Sequence, residues 1–227
     1  MVGVGPVYAL AVWNGSASLT TGYFPSPDIT TSLLNIVASV AVFGGVLLVL
    51  LWFACGERLR DLQLKPGNWT SDIVSGVFLG GALYFFQLLM SWLAYAFGHD
   101  SIPDANRIVG TALSHDPLLL IVWLGPVVWF QAALLEEFTR VFMLSRLWQV
   151  WPSALGKILV LVGSSLAFGL GHIYQGRIGL LGGVCIGLIL GWHYFRFGRV
   201  LPLIIAHGLY NTVVLLMLVA ALSSGLL

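Results

Sequence analysis

Residues 117–148 read PLLLIVWLGPVVWFQAALLEEFTRVFMLSRLW, and this stretch decides the fold. From Pro117 to Leu135 it contains no charged residue, and Gln131 is the only amide in it. About 20 apolar residues in a helix cross the roughly 30 Å hydrocarbon core of a bilayer, so the run is long enough to span. Pro117 suits a first helical turn, where its missing N–H costs nothing. The run then continues, with no turn signal, into Glu136, Glu137 and Arg140. An ionisable group inside a span costs about 2.5–3.5 kcal/mol on insertion scales and calls for a reason. The apolar length therefore speaks to the fold, and the acids within it speak to function.

The composition of the whole chain agrees. Of 227 residues 59% are hydrophobic and only 8% charged, with a mean hydropathy of +0.96. Soluble domains carry about 25% charged residues, so this chain cannot cover itself with a wetted surface. Lipid is its expected solvent, and helices satisfy their own backbone polar groups there. Long, nearly continuous apolar runs exclude the alternating pattern of a membrane β-barrel. No basic stripe accompanies the net charge of +1, so nucleic acid is not an expected partner. Cys55 and Cys185 both fall in apolar runs and read as small buried hydrophobes. The first thirty residues have no Lys or Arg to make the basic start of a signal peptide.

The expected fold is all-α, a polytopic bundle of about six transmembrane helices. Working outward, spans are expected at about 33–55, 73–97, 117–148, 154–174, 178–197 and from Leu201 onward. The polar stretch from His99 to Asp116, with Pro103 and Asp104, reads as a loop. Residues 1–227 read as one domain, because no soluble insertion is long enough to fold alone, with 1–31 a short N-terminal extension. Six alternating spans put Arg58, Arg60, Lys65, Arg146, Lys157, Arg196 and Arg199 on one side, against Arg107 and Arg177 on the other. The positive-inside rule then predicts that both termini lie outside. The expected location is a cell membrane, specifically a bacterial inner membrane. In the fifth span Gly179, Gly183, Gly187 and Gly191 recur every four residues, a row that lets another helix approach closely.

Three spans carry polar groups that lipid disfavours. They are Glu136-Glu137-Phe138-Thr139-Arg140, then Phe168-Gly169-Leu170-Gly171-His172, then His207-Gly208-Leu209-Tyr210-Asn211. Taken singly, each has a structural reading. Glu136 and Arg140 are four apart and can pair on one helix face, leaving Glu137 over. His172 can be interfacial, and His207 with Asn211 can be interhelical hydrogen-bonding glue. Taken together, two acids, an Arg, two His and an Asn are all satisfied at once by converging on one wet cavity. Such a cavity offers a carboxylate to accept a proton, imidazoles to relay it and an amide to steady an oxyanion, the inventory for hydrolysing a carbonyl compound. His172 and His207 are therefore expected to meet.

An acidic pair followed by Arg, then Phe-x-x-x-His, then His-x-x-x-Asn, on successive apolar segments, resembles the CAAX-processing and bacteriocin-processing (CPBP) intramembrane proteases. His172-Ile173-Tyr174-Gln175-Gly176 and Leu201-Pro202 add to the resemblance, which covers about Pro117 to Val219. It implies a catalytic core over 117–219 and a Glu-dependent endopeptidase acting on membrane-anchored or hydrophobic peptides. Glu136 or Glu137 with His172 would activate water, Arg140 would orient the acid, and His207 with Asn211 would hold the oxyanion. The pattern departs from the family in one respect: two residues, Phe138 and Thr139, separate the acids from Arg140 where the family usually has three.

Competing readings follow from the same residues. Glu136, His172 and His207 are also a possible ligand set for a divalent metal such as zinc, although the His-Glu-x-x-His helix of many zinc proteases is absent. The protease reading needs no cofactor, and its partners are membrane lipid and an anchored substrate. A catalytically inactive scaffold of the same fold, conferring immunity or regulating a partner, would explain the shortened spacing. A proton-relaying transporter would use the same groups, but the chain shows no internal repeat of the kind many transporters carry.

Overall fold

The computed structural model describes residues 27–49, 52, 68–97 and 104–225. Among them lie seven helices and no strand. These are α1 (Ile29–Val49), α2 (Trp69–Ala96), α3 (Asp104–His115), α4 (Pro117–Val150), α5 (Ala154–Leu170), α6 (Gly176–Phe197) and α7 (Leu201–Ser223). Five of them, α1, α2, α4, α6 and α7, are long and apolar enough to cross a membrane. The chain is a multi-pass membrane bundle. Its outward faces are apolar in the way lipid requires, with Phe78, Phe85, Trp92, Ile121 and Trp192 all largely exposed. The expected end of the first span at Cys55, the charged stretch that includes Arg58, Arg60 and Lys65, and His99 and Pro103 lie outside the described residues.

Two expectations need correction. The polar stretch before Pro117 is not a loop throughout, because residues 104–115 form α3. Its Ala105, Val109, Ala112 and Leu113 follow helical spacing; Ala105 and Leu113 are buried, and the last three join the cluster around Leu119, Val128 and Leu215. Periodicity outweighed polar composition there. The fourth span is also shorter than expected. Ser153 caps α5 by accepting from the Gly156 N–H, and the helix ends at Leu170 after 17 residues. At 1.5 Å per residue that is about 26 Å, short of a full crossing. A 3-10 turn, Ile173–Gln175, then leads into α6.

α7 packs along α2 and against the middle of α4, while α6 packs along α5. Glycines set both approaches. A Cβ on Gly76 of α2 would lie 2.7 Å from Ile205 Cβ, and one on Gly80 would lie 3.2 Å from the Ala206 carbonyl oxygen. On α6 the four-residue row behaves as expected: Cβ atoms on Gly183 and Gly187 would lie 2.9 Å from Gly169 Cα and Ser165 Cα. The buried core that results joins Leu83, Val141, Leu144, Leu190, Leu203 and Ala206 from four helices, with Val160 and Leu161 of α5 completing it. Basic residues collect at one end of the bundle. Lys157 reaches the Phe195 carbonyl, joining the start of α5 to the end of α6, and Arg199 ion-pairs with buried Asp72 at the start of α2.

The middle of α4 is not α-helical. Trp123–Leu135 has the wider π winding, with Pro126 inside it, and α-helix resumes at Glu136. Proline has no N–H for the i→i−4 ladder and its ring presses on the carbonyl four residues back, so the regular ladder fails at Pro126. π segments are rare and concentrate at functional sites. This one delivers the acids to α7.

Candidate active site

The acids enter the site from the first turn of the resumed α-helix. Glu137 is 0% exposed, and its Oε1 accepts from both Arg140 and His207. Arg140 lies three residues on, so the pair spans i to i+3 rather than the i to i+4 expected for Glu136. The acid with no partner in that reading is the one that takes the Arg. Glu136 instead has a side chain 25% exposed, and its Oε2 lies 3.9 Å from His207 Nε2, beyond hydrogen-bond reach. That oxygen has no hydrogen-bond partner among the described residues.

Two imidazoles have their tautomers set by their acceptors. His207 Nδ1 lies 2.7 Å from the Glu137 carboxylate, and His172 Nδ1 lies 2.8 Å from the Phe168 carbonyl. Both acceptors lack a proton, so each Nδ1 carries the hydrogen and donates it. In the neutral ring Nε2 is then the lone-pair nitrogen. Tautomer choice of this kind is what a positioned relay needs.

Phe168, four residues before His172, holds the group together. The Arg140 guanidinium carbon lies 4.1 Å from its ring centroid, a cation–π stack. The His172 ring centroid is 4.5 Å from it, and the His207 ring meets it edge-on at 6.0 Å. His172 and His207 line one cavity together with Phe168, Gln175, Tyr210 and Asn211, and Gly182 forms part of its wall. It leaves about 20 Å³ for the centres of water molecules, room for one. His207 and Asn211, four apart on α7, face it together and are both buried. Glu137 stands behind His207, and neither acid is part of the cavity wall.

All six residues singled out in the sequence are thus in or next to one cluster, but their pairing differs from that expected. The fully buried acid bonds to His207, not to His172. Three further residues, Phe168, Gln175 and Tyr210, belong to the site. The first two lie within the Phe168–Gly176 stretch, and Phe168 is the first residue of its Phe-x-x-x-His motif. Tyr210 precedes Asn211, and its hydroxyl donates to Gln87 on α2 at 2.9 Å. Nothing in the sequence ties Gln87 to it. Among the described residues no group of three or more His, Cys, Asp or Glu is disposed to hold a metal ion.

The order of these groups along the chain carries a family signature. Residues 118–213 match the Rce1-like family. That family is described as type II CAAX prenyl endopeptidase Rce1-like, and the matched segment runs from the start of α4 into α7. No curated protein and no solved structure matches the chain. The Rce1-like match covers every acid, imidazole and amide of the cluster. With the five membrane-length helices, it supports a CAAX-protease-type function within a membrane.

Proposed function

We propose that this chain is an intramembrane endopeptidase in which Glu136 activates water and Glu137 is a positioning residue. The observation that carries the reading is the division of labour around His207, whose Nδ1 is held by the buried Glu137 while Nε2 faces Glu136 across 3.9 Å. Hydrogen bonds run to about 2.8 Å, so a single water fits that gap, donating to Glu136 and accepting from the Nε2–H of protonated His207. The water oxygen attacks the peptide carbonyl carbon and Glu136 takes its proton. When the C–N bond breaks, Glu136 returns that proton to the leaving nitrogen, and the products are a carboxylic acid and an amine. The negative charge on the carbonyl oxygen is met by the Asn211 amide and by His207 in its protonated form. Glu136, Glu137 and Arg140 sum to one negative charge, which a proton on His207 cancels, so this form suits a site closed to water. His172, with Nδ1 tied to Phe168, offers Nε2 to the water.

The substrate class follows from the site's location. Peptides that reach a cavity between membrane helices are hydrophobic or lipid-anchored, and the family description includes prenylated CAAX chains. We place the basic end of the bundle in the cytoplasm by the positive-inside rule. The test is cleavage of a quenched fluorescent hydrophobic-peptide library by purified protein in detergent, with and without a chelator. Wild-type cleavage that survives the chelator and falls about 10²–10⁴-fold in Glu136→Gln, the range for losing a general base, supports the mechanism. Loss with the chelator would mean a metal reaction at this site. No cleavage by folded wild-type protein would refute the protease reading.

A further inference from the structure

α2 lies outside the segment that matches the Rce1-like family, yet one of its side chains reaches the wall of the candidate active site. From Trp69 to Ala96 the helix carries one amide, Gln87. An amide in hydrocarbon is costly without a partner, so its presence calls for a reason. Its Oε1 accepts from the Tyr210 hydroxyl at 2.9 Å, and its Nε2 donates to Ser91 at 3.3 Å. Hydrogen bonds between membrane helices often serve only as glue. Here α2 is already fixed to α7 by the close approaches at Gly76 and Gly80 and by the ion pair of Asp72 with Arg199, just before α7. A second bond, from the Tyr84 hydroxyl to Met217 Sδ at 2.7 Å, joins the same two helices, and neither of its partners lines the cavity. Tyr210 does. It is 3% exposed, and His207, Tyr210 and Asn211 stand at i, i+3 and i+4, so they share the face that α7 gives to the cavity.

We propose that Gln87 is a positioning residue of the site: by accepting from the Tyr210 hydroxyl it fixes that ring, and the ring fixes the wall on which His207 and Asn211 stand. The proposal rests on the protease reading of the cavity. A tyrosine side chain moves between staggered χ1 wells roughly 120° apart, so a tether at the far end of the ring decides which well it occupies. The cavity has room for one water. A Tyr210 ring in another well either takes that place or admits a second water, and in both cases the reacting groups lose their register. Misplacement by about 1 Å, even from a change far from the chemistry, can cost about 10²-fold in rate. Gln87 touches no reacting atom and acts through Tyr210. The site is thus completed from α2, outside the matched segment.

The test compares variants on a peptide that wild-type protein cleaves. Gln87→Met removes the acceptor at similar size, Gln87→Glu keeps an acceptor oxygen at the same reach, and Tyr210→Phe removes the donor. Tyr84→Phe removes the other hydrogen bond between α2 and α7 and leaves the cavity wall as it is. Gln87→Met and Tyr210→Phe should each lower kcat by about 10–10²-fold with little change in KM, the pattern of a loss felt in the transition state. Their double variant should lose no more than the worse single, because one hydrogen bond carries both effects. Gln87→Glu should recover most of the loss, and Tyr84→Phe should turn over like wild type. Wild-type kcat in Gln87→Met, or an equal loss in Tyr84→Phe, overturns the proposal. The ring is also read without cleavage, by fluorine NMR of a fluorotyrosine placed at position 210 alone. One sharp resonance is expected when Gln87 is present, and a broadened or divided one in Gln87→Met. The same resonance in both proteins overturns the proposal. A wild type that cleaves nothing while the resonance changes refutes the protease reading alone and still supports the hold of Gln87 on Tyr210.

Discussion

Replacing Glu137 by Gln and Glu136 by Gln should produce opposite phenotypes, although the two acids are neighbours. Glu137 is wholly buried, and its Oε1 accepts from Arg140, itself only 4% exposed, and from His207. The amide keeps the shape but removes the charge, leaving a guanidinium buried without a counter-ion. Breaking one side of a buried ion pair costs about 3–5 kcal/mol. For a chain of 150–250 residues each kcal/mol moves Tm by about 2–4 °C, so Glu137→Gln should lower Tm by about 6–20 °C. Among the described residues Glu136 makes no hydrogen bond through its Oε2, so Gln there breaks none and should cost less stability than Glu137→Gln. Intrinsic fluorescence of the nine tryptophans in detergent reads both variants. Adding Arg140→Met to Glu137→Gln removes the stranded charge and should recover most of the lost stability, but not cleavage. A Glu137→Gln variant as stable as wild type, or a Glu136→Gln variant that is the less stable of the two, would refute the assignment of roles.

Three further outcomes follow from the same geometry. Asn211→Ala should lower kcat about 10²–10³-fold with little change in KM, the effect of losing one oxyanion donor, measured on the best library peptide. Gly76→Leu should reduce folded yield and Tm, because the first added carbon already lies 2.7 Å from Ile205 Cβ; overpacking of this kind costs about 1–3 kcal/mol, and size-exclusion profiles with a melt check it. Phe168→Leu should lower kcat through Arg140 and both imidazoles, since it removes the ring all three rest on. Phe168→Tyr should rescue part of that loss, and a Leu variant with wild-type turnover would count against the platform role.

Much of the fold was legible because lipid leaves few alternatives. Apolar runs of 20 residues have one stable form there, so the spans around Ile73, Pro117, Ile178 and Leu201 were placed within a few residues. Where composition and periodicity disagreed, composition misled: Asp104, Arg107 and Ser114 disguised a helix whose buried side is Ala105, Val109, Ala112 and Leu113. The early end of α5 was hidden because Gly169, Leu170 and Gly171 are as compatible with a span as with its termination. The site residues stood out by their rarity in apolar surroundings, but their pairing did not. Residues three and four apart are both neighbours on a helix, so the sequence allowed Arg140 to take either acid. His207, seventy residues away on α7, decided it.

That decision also bears on the shortened distance between the acids and Arg140. Successive residues on an α-helix point about 100° apart, so Glu136 and Glu137 cannot face the same neighbour directly. The His207 ring spans the difference, with Nδ1 on Glu137 and Nε2 turned toward Glu136. What the arrangement requires is two adjacent acids at the positions α7 can reach, and Arg140 need only lie within reach of the second. The i to i+3 pair satisfies that with two intervening residues. The double change Leu135→Glu with Glu137→Leu separates the alternatives. It moves the acidic pair back one residue and restores the three-residue spacing, with Glu136 and Arg140 at i and i+4. If spacing to the Arg governs activity, this variant should cleave as well as wild type. On the geometry seen here it should lose cleavage by at least about 10²-fold, the low end for removing a positioned proton acceptor. Its His207 has lost the carboxylate at Nδ1, and Glu136 has been drawn from Nε2 toward Arg140. The single change Leu135→Glu, with Glu137 kept, should then cleave like wild type, because both carboxylates that His207 meets are in place.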